Sequence, residues 1–347
     1  MMKSTIVGVD LAKRVIQVCV YTNKAVRSNK EMTPNEFTEF LAKSKPMTVV
    51  FEACGTSNYW LQKALDFKHD AKLISAQLVA SVRQNQKTDK NDALAIVQSA
   101  MLPEVNFVVG KSVKQQELQS IVRFRELCIK QKTALSNQLD GLLAEFNIST
   151  AKRNGGLKGA VESTLEDAEN GCSDLFRQAL DTAGKLYVET IESLAIYDDC
   201  LEQSISHHPE CKKLLKIEGV GTINAINLYI ALGCAELGQF KKGKDASACI
   251  GLTPLQHSSG GKTKLGSIGK YVKNSMLRSL LIAGAMSCVI QVVKREARTT
   301  KEKWLQGLVE RRGKQCAAVA LANKTVRTAF AMLTQGTEYR AELISAS

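Results

Sequence analysis

The chain has 347 residues, 44% of them hydrophobic and 23% charged, with only five prolines, enough for two ordinary folded domains and a helical connection between them. It holds no apolar run of about 18 residues to span a bilayer, and its start, MMKSTIVGVDLAK, enters a strand pattern where a signal peptide would be charged and then apolar; a cytoplasmic protein with no membrane partner is expected. The formal net charge is +13, and residues 261–314 carry 13 Lys or Arg against 3 Glu and no Asp, a local excess of +10 that points to a polyanionic partner, because each neutralised phosphate releases condensed counterions.

In chain order, Thr5 to Val9 is a compact apolar run ending in Asp10, and Val15 to Tyr21 alternates apolar and polar residues as a half-exposed strand does. Thr33-Pro34-Asn35-Glu36 predicts a helix start with a capping box and proline at the first helical position. Met47 to Phe51 is a buried-strand run ending in Glu52, and Ala71 to Ser75 is a fourth strand. Strands interleaved with helices predict an α/β sheet over residues 1–107, with functional groups at strand ends. From Ser112 to Phe146 and from about Ser173 to Ser206, heptad-like apolar spacing without proline predicts two long helices. The polar, Gly-rich break from Thr150 to Gly159 makes them an antiparallel arm over 108–206, with homodimerisation as its expected use. His207-His208-Pro209 opens a third, mainly α-helical region, 207–347, with a Gly-rich basic loop from Ser258 to Lys270 and a long apolar helix from about Met276 to Val293. Ten cysteines lie mostly in apolar stretches with no CxxC pair, and four histidines are scattered, so reduced core thiols are expected and neither a zinc site nor a disulfide framework.

Four acids stand out in the first region. Asp10 and Glu52 end strands, and Asp89 and Asp92 in Lys87-Thr88-Asp89-Lys90-Asn91-Asp92-Ala93 fall on one face if that segment is helical. Singly, each could cap a turn, form an ion pair or offset a helix dipole. Jointly they suit phosphodiester chemistry, in which hard oxygen ligands hold divalent ions that clamp the attacking and leaving oxygens; a strand-end Asp, a strand-end Glu and a late pair of Asp is the order expected of RNase H-like and RuvC-like nucleases.

Two further segments bear on nucleic acid. Glu218-Gly219-Val220-Gly221-Thr222 before an apolar helix reads as a helix-hairpin-helix turn, in which Gly219, Gly221 and Thr222 offer backbone N–H groups to a phosphate; a plain turn would need only one glycine. In Gly251-Leu252-Thr253-Pro254-Leu255-Gln256-His257-Ser258-Ser259-Gly260-Gly261, serines beside glycines are commonly turn residues, and no Ser/His/Asp hydrolase spacing is present. Nearby Lys262 and Lys264 could assist a serine attacking phosphorus, and Lys270, Lys273 and Arg278 extend the basic segment toward a nucleic-acid backbone.

The motifs Gly8-Val9-Asp10-Leu11-Ala12-Lys13, Phe51-Glu52-Ala53-Cys54-Gly55, Lys87 to Ala93, Glu218 to Gly221 and Gly251-Leu252-Thr253-Pro254 with its Ser-Gly tail run in one order over nearly the whole chain. In them the chain closely resembles the bridge-RNA-guided DEDD transposases of bacterial insertion sequences, related to the Piv pilin-gene invertases. The resemblance implies a RuvC-like domain whose Asp10, Glu52, Asp89 and Asp92 bind one or two Mg2+ ions, with Mn2+ as the alternative. It also implies a coiled-coil arm for assembly and a C-terminal transposase domain whose loop serine becomes covalently linked to DNA. A structured noncoding guide RNA would pair with donor and target double-stranded DNA, leaving the protein to read RNA shape, and dimers through the arm would join as a tetramer on DNA, in the bacterial cytoplasm at the nucleoid. Cys54 stands where that family has Thr. Alignment on Gly-Leu-Thr-Pro selects Ser259 as the nucleophile, with Ser258 the alternative if the loop slips by one residue. The competing expectations are an actin-like ATPase or sugar kinase, which also carries an Asp in its first hairpin but needs a second Gly-rich phosphate loop, and a non-catalytic nucleic-acid scaffold, against which the presence of all four acids argues.

Overall fold

A computed structural model describes residues 5–151, 155–234, 240–269 and 275–342. Ile6–Leu11 (β1), Ile16–Thr22 (β2) and Ala25–Met32 (β3) form an antiparallel meander. Pro34–Lys43 (α1) leads to Thr48–Glu52 (β4), parallel to β1, and Ser57–Asp66 (α2) leads to Asp70–Ile74 (β5), parallel to β4. The sheet order is therefore β3-β2-β1-β4-β5. The capping box expected at Thr33 is present: its hydroxyl accepts from the Glu36 N–H at 3.3 Å, and the Glu36 carboxylate accepts from the Thr33 N–H at 2.7 Å. Strand β3, AVRSNKEM, was not among the expected strands. It is a largely exposed edge strand with no apolar run, and what holds it is its ladder to β2 and the turn at Asn23 and Lys24, both with positive φ.

Val7, Val9, Val49, Phe51, Phe37 and Trp60 fill one face of the sheet. Ala76–Val82 (α3) and Asp89–Ala100 (α4) cover the other, where Val79 of α3 and Ile96 of α4 pack with Val50 and Ile74. Helix α4 lies so close to β1 that a Cβ at Gly8 would stand 2.4 Å from the Ala93 carbonyl oxygen and 2.7 Å from Val97 Cγ2. Only glycine allows that approach, and it brings the start of α4 beside the end of β1.

Val113–Glu145 (α5), Gly156–Glu166 (α6) and Asp174–Ser204 (α7) follow. Helices α5 and α7 run antiparallel, as three pairings show: Phe124 stacks on Tyr197 with centroids 6.0 Å apart, the Cys128 thiol donates to the Thr190 carbonyl, and Phe146 meets Phe176 at 4.8 Å. Helix α6 takes up the last four residues of the expected break, 156–159, and packs on α7 where Gly184 meets Val161. The apolar heptad positions divide: Leu118, Val122, Leu139, Leu143, Leu180 and Leu201 are buried, whereas Phe124, Leu127, Leu142 and Leu186 stay exposed.

The C-terminal part is mostly helical. Pro209–Lys213 (α8), a 3-10 turn at Leu214–Lys216, Thr222–Leu228 (α9) with a π turn at Tyr229–Gly233, and Gly243–Cys249 (α10) precede a ribbon of Pro254–Ser259 (β6) and Lys262–Ile268 (β7); Ser275–Val292 (α11) and Thr300–Thr334 (α12) close it. Its core, with Leu214, Ile226, Leu281, Leu321 and Phe330, also takes in Leu118 and Val122 of α5 and Leu201 of α7, so the root of the arm is built into this region. Helix α12 breaks at Gly313, whose φ is 79°. Lys324 Nζ lies 5.1 Å from the Trp304 ring, although 20 residues of straight helix would separate them by about 30 Å. The two limbs, 300–312 and 314–334, thus fold back against each other.

Two expectations need correction here. The segment expected as a loop from Ser258 is a β-hairpin through residue 268, because consecutive positive φ at Gly260 (55°) and Gly261 (76°) make a two-residue turn that matches the strand twist. None of the ten cysteines is in a disulfide, but only Cys19, Cys128, Cys211 and Cys234 are buried, and Cys54 and Cys316 are exposed.

Candidate functional site: an acidic strand end and an exposed serine ribbon

The sheet brings Asp10, Glu52, Asp89 and Asp92 to one end. Asp10 lies in the last two residues of β1 and Glu52 ends the parallel neighbour β4. The backbone after Glu52 is fixed by the Ala53 N–H on the Ile74 carbonyl (2.8 Å) and by Ser57, whose hydroxyl takes the Cys54 N–H and donates to the Cys54 carbonyl. Helix α4 starts at Asp89 because Thr88 caps it, its hydroxyl accepting the Asn91 N–H. A strut across the sheet fixes that start: Gln17 donates to Asn29 at 2.7 Å, and Asn29 donates to the Lys90 carbonyl at 2.9 Å. Asp89 and Asp92 therefore sit in the first turn of α4, where the helix dipole also favours them.

These acids act on one another. Burial pushes the Asp10 carboxyl above the ordinary carboxylate range, and the neighbouring charges of Asp92 and Asp89 push it further. Glu52 is raised likewise, first by burial and then by Asp10 and Asp92. Lys87 opposes the rise at both groups and Arg83 at Glu52. Asp92, buried at 7% exposure, is held by the Arg83 guanidinium at 2.7 Å. Among the described residues no three acidic, His or Cys side chains stand close enough together to ligate one ion directly. The donors nevertheless suit a divalent cation: they are hard oxygens, partly desolvated, with negative charge in excess of Arg83 and Lys87. Arg83 and Lys87 were not singled out from sequence; a basic residue shortly before an acidic helix start is too common to serve as a signal.

In the turn before α9, Gly219 (φ 78°) is taken up by packing, since a Cβ there would stand 2.9 Å from the Gly284 carbonyl oxygen, and Asn224 donates to the Leu280 carbonyl beside it. Gly221 is exposed with open space around it and Thr222 is half-buried, so these two face outward while Gly219 faces α11. Glu218 accepts from Lys301 at 2.7 Å and from the Tyr339 hydroxyl, which ties the turn to α12 and the C-terminal segment; burial pushes the Glu218 carboxyl up, but these bonds together outweigh it and hold the carboxyl below its ordinary range, whereas burial first and then the bond to Glu218 raise the Tyr339 hydroxyl.

The ribbon is exposed along all seven residues of β7. Its register pairs Ser259 with Lys262, Ser258 with Thr263 and His257 with Lys264. Directly paired residues share a face and neighbours alternate, so Ser259 shares its face with His257, Lys262 and Lys264, whereas Ser258 shares the opposite face with Gln256, Thr263 and Leu265. Arg278 lies under the ribbon's root, where a Cβ at Gly269 would come within 2.1 Å of its guanidinium. Lys270 and Lys273 lie outside the described residues. The ribbon and the acidic strand end are separate features of the chain.

An α/β sheet with acids gathered at one end, joined to a basic helical part that carries an exposed serine ribbon, is the build of a transposase. A family described as Transposase matches residues 7–148, across the sheet and α5, and the Transposase IS116/IS110/IS902 family matches residues 211–302, from α8 into α12. The chain is 34% identical over 96% of its length to a transposase for insertion sequence element IS1111A from Coxiella burnetii, 91% of which is covered. It is 34% identical, again over 96%, to a probable family 20 transposase from Pseudomonas aeruginosa, covering 98% of it, and 28% identical to a transposase for insertion sequence element IS1328 from Yersinia enterocolitica, at 96% and 98% coverage. The chain belongs to the IS110/IS116/IS902 family of insertion-sequence transposases. Among the described residues no helix is long and apolar enough to cross a membrane.

Proposed function

We propose that this transposase cuts and rejoins DNA with two chemically distinct parts, an RNase H-like (RuvC-like) acidic site in residues 1–107 and the Ser259 ribbon in a C-terminal domain, 207–347, joined by the arm of 108–206. One observation carries the reading: burial and mutual repulsion raise Asp10 and Glu52 together, with Asp92 and Asp89 among the causes. Carboxylates from three separate segments of the chain, β1, β4 and the start of α4, have no structural need to share one strand end, and a strand end loaded in this way is suited to a divalent cation.

In this reading Asp10, Glu52, Asp89 and Asp92 would hold one or two Mg2+ ions, or Mn2+, which when bound supply charge neutralisation at a phosphodiester and activation of an oxygen nucleophile. Arg83 would release Asp92 to take part. Ser259 is the hydroxyl that becomes linked to DNA, favoured over Ser258 by the cationic face it shares with His257, Lys262 and Lys264, which would steady an approaching phosphate. Gly221 and Thr222, with Lys270, Lys273 and Arg278, contact nucleic-acid backbone. Gly219 shapes that turn. Guidance by a structured noncoding RNA that pairs with donor and target DNA rests on the motif resemblance and on the basic C-terminal third. Dimerisation through the arm is supported by the exposed row of Phe124, Leu127, Leu142 and Leu186; pairs of dimers would join two DNAs as a tetramer in the cytoplasm, at the nucleoid. The test is denaturing electrophoresis of DNA reacted with the full protein, guide RNA and Mg2+. A protein–DNA adduct is expected from the wild type, none from Ser259→Ala and a retained one from Ser258→Ala. An adduct from Ser259→Ala would overturn the nucleophile, and cleavage by Asp10→Asn would overturn the acidic site.

A further inference from the structure

Beyond the acidic strand end and Ser259, a broad concavity lies between α10, the root of the ribbon, the two limbs of α12 and the segment 335–340. It is a groove of about 1420 Å³. Lys242, Lys244, Arg312, Lys324, Arg327 and Arg340 line it, against one acid, Glu338. All six cations are exposed, and among the described residues none of them forms an ion pair, although exposed lysines elsewhere, such as Lys43 and Lys185, do.

We infer that this groove, walled on one side by the root of the ribbon, is a binding track for the phosphodiester backbone of a nucleic-acid strand, distinct from Ser259 and from the turn before α9. Like charges placed together repel one another unless a polyanion lies among them. The volume exceeds the roughly 300–1,000 Å³ of a small-molecule site, which favours an extended polymer over a single anion. The cations come from separate places in the chain and are held at fixed spacing by packing. Gly243 seats the start of α10 against Arg327 and Phe330, the break at Gly313 folds Trp304 back onto Lys324, and the Glu218–Lys301–Tyr339 contacts anchor the segment carrying Arg340. Contacts of this kind position a backbone without reading its sequence. Leu265, Gly266 and Ile268 of β7 form part of the groove wall, so a strand lying in it would be led toward the ribbon. The inference rests on the transposase assignment but not on the metal or serine chemistry.

The test is fluorescence anisotropy of the full-length protein with a labelled 30-nucleotide single-stranded DNA, the same sequence as RNA, and the duplex DNA, each over a series of salt concentrations. Lys244→Gln, Lys324→Gln and Arg340→Gln combined should raise Kd at least about tenfold for the polymer that occupies the groove. The slope of log K against log salt should fall by about 2 to 3, near 0.9 per lost duplex phosphate contact and 0.7 per single-strand contact. Which polymer shows the loss names the occupant. The charge-keeping combination Lys244→Arg, Lys324→Arg and Arg340→Lys should bind within about twofold of wild type, and this separates lost charge from lost folding. Unchanged Kd and slope for all three polymers, or an equal loss in the charge-keeping variant or in a control triple at Lys43, Lys158 and Lys185, would overturn the inference. DNA cleavage by the groove variant at saturating nucleic acid reads the acidic site independently.

Discussion

The acidic strand end and the serine ribbon hold their reactive groups in opposite ways. Asp10, Glu52 and Asp92 are half-buried or buried, fixed by the sheet, by the close approach at Gly8 and by the Gln17–Asn29–Lys90 strut. The ribbon stands in solvent with only its ladder and the Gly260-Gly261 turn to shape it. Repulsion between carboxylates persists only where packing prevents the side chains from turning to water; an exposed ribbon stores no such strain and takes its working position from whatever it docks against. Substitutions at the strand end should therefore change both stability and chemistry, whereas those at the ribbon should change chemistry alone.

The sharpest break of this comparison is Asp10→Asn. It should lower DNA cleavage by at least about 10³-fold, with the fold retained by circular dichroism and the melting temperature raised, because one of the mutually repelling charges is gone. Ser259→Ala should abolish the covalent adduct while shifting stability by no more than about 0.5 kcal/mol, as expected for an exposed substitution; a large loss of stability on denaturant unfolding would show that the ribbon is packed against the protein. Arg83→Ala leaves the buried Asp92 carboxylate without its partner and should destabilise by about 2–3 kcal/mol, below the figure for a fully buried pair because Arg83 keeps some water contact. Gly8→Ala forces α4 away from β1 and should destabilise by about 1–3 kcal/mol, with a fall in cleavage larger than the stability loss explains, measured under conditions where the variant is fully folded.

The smallest effect expected is with pH. Asp10 and Glu52 titrate above the ordinary carboxylate range when folded, so from about pH 4 until both have ionised these two groups hold more protons in the native state than in the unfolded chain. The contribution of these two groups to stability should fall as pH rises through the raised values and stay lowered above them, opposite in sign to that of Glu218, whose carboxyl is lowered. Mg2+ should then raise the melting temperature more at pH 7.5 than at pH 4.5, by roughly 2–4 °C, and Asp10→Asn should remove most of that difference. An equal Mg2+ effect in the variant would place the ion elsewhere.

Local patterns carried much of this protein into view. The apolar runs before Asp10 and Glu52, the capping box at Thr33, the two long helices of the arm and the apolar helix α11 follow from periodicity and from side chains bonding to their own helix ends. The paired acids after Thr88 follow from the same local cap. Strand β3 is not legible in the sequence because an exposed edge strand needs no apolar run, and the ribbon reads as a loop because none of its residues is buried.

What the amino-acid sequence determined by itself was which apolar segments are helix or strand and which acids end them, since those choices are made by neighbours within a few residues. Tertiary structure decided that α4 lies against Gly8, that Arg83 holds Asp92, that Gly219 faces Gly284 and that α12 folds back at Gly313 to form a cationic groove. The physical reason is that these are contacts between surfaces made by distant parts of the chain, and whether they fit depends on packing in three dimensions, which no local period encodes.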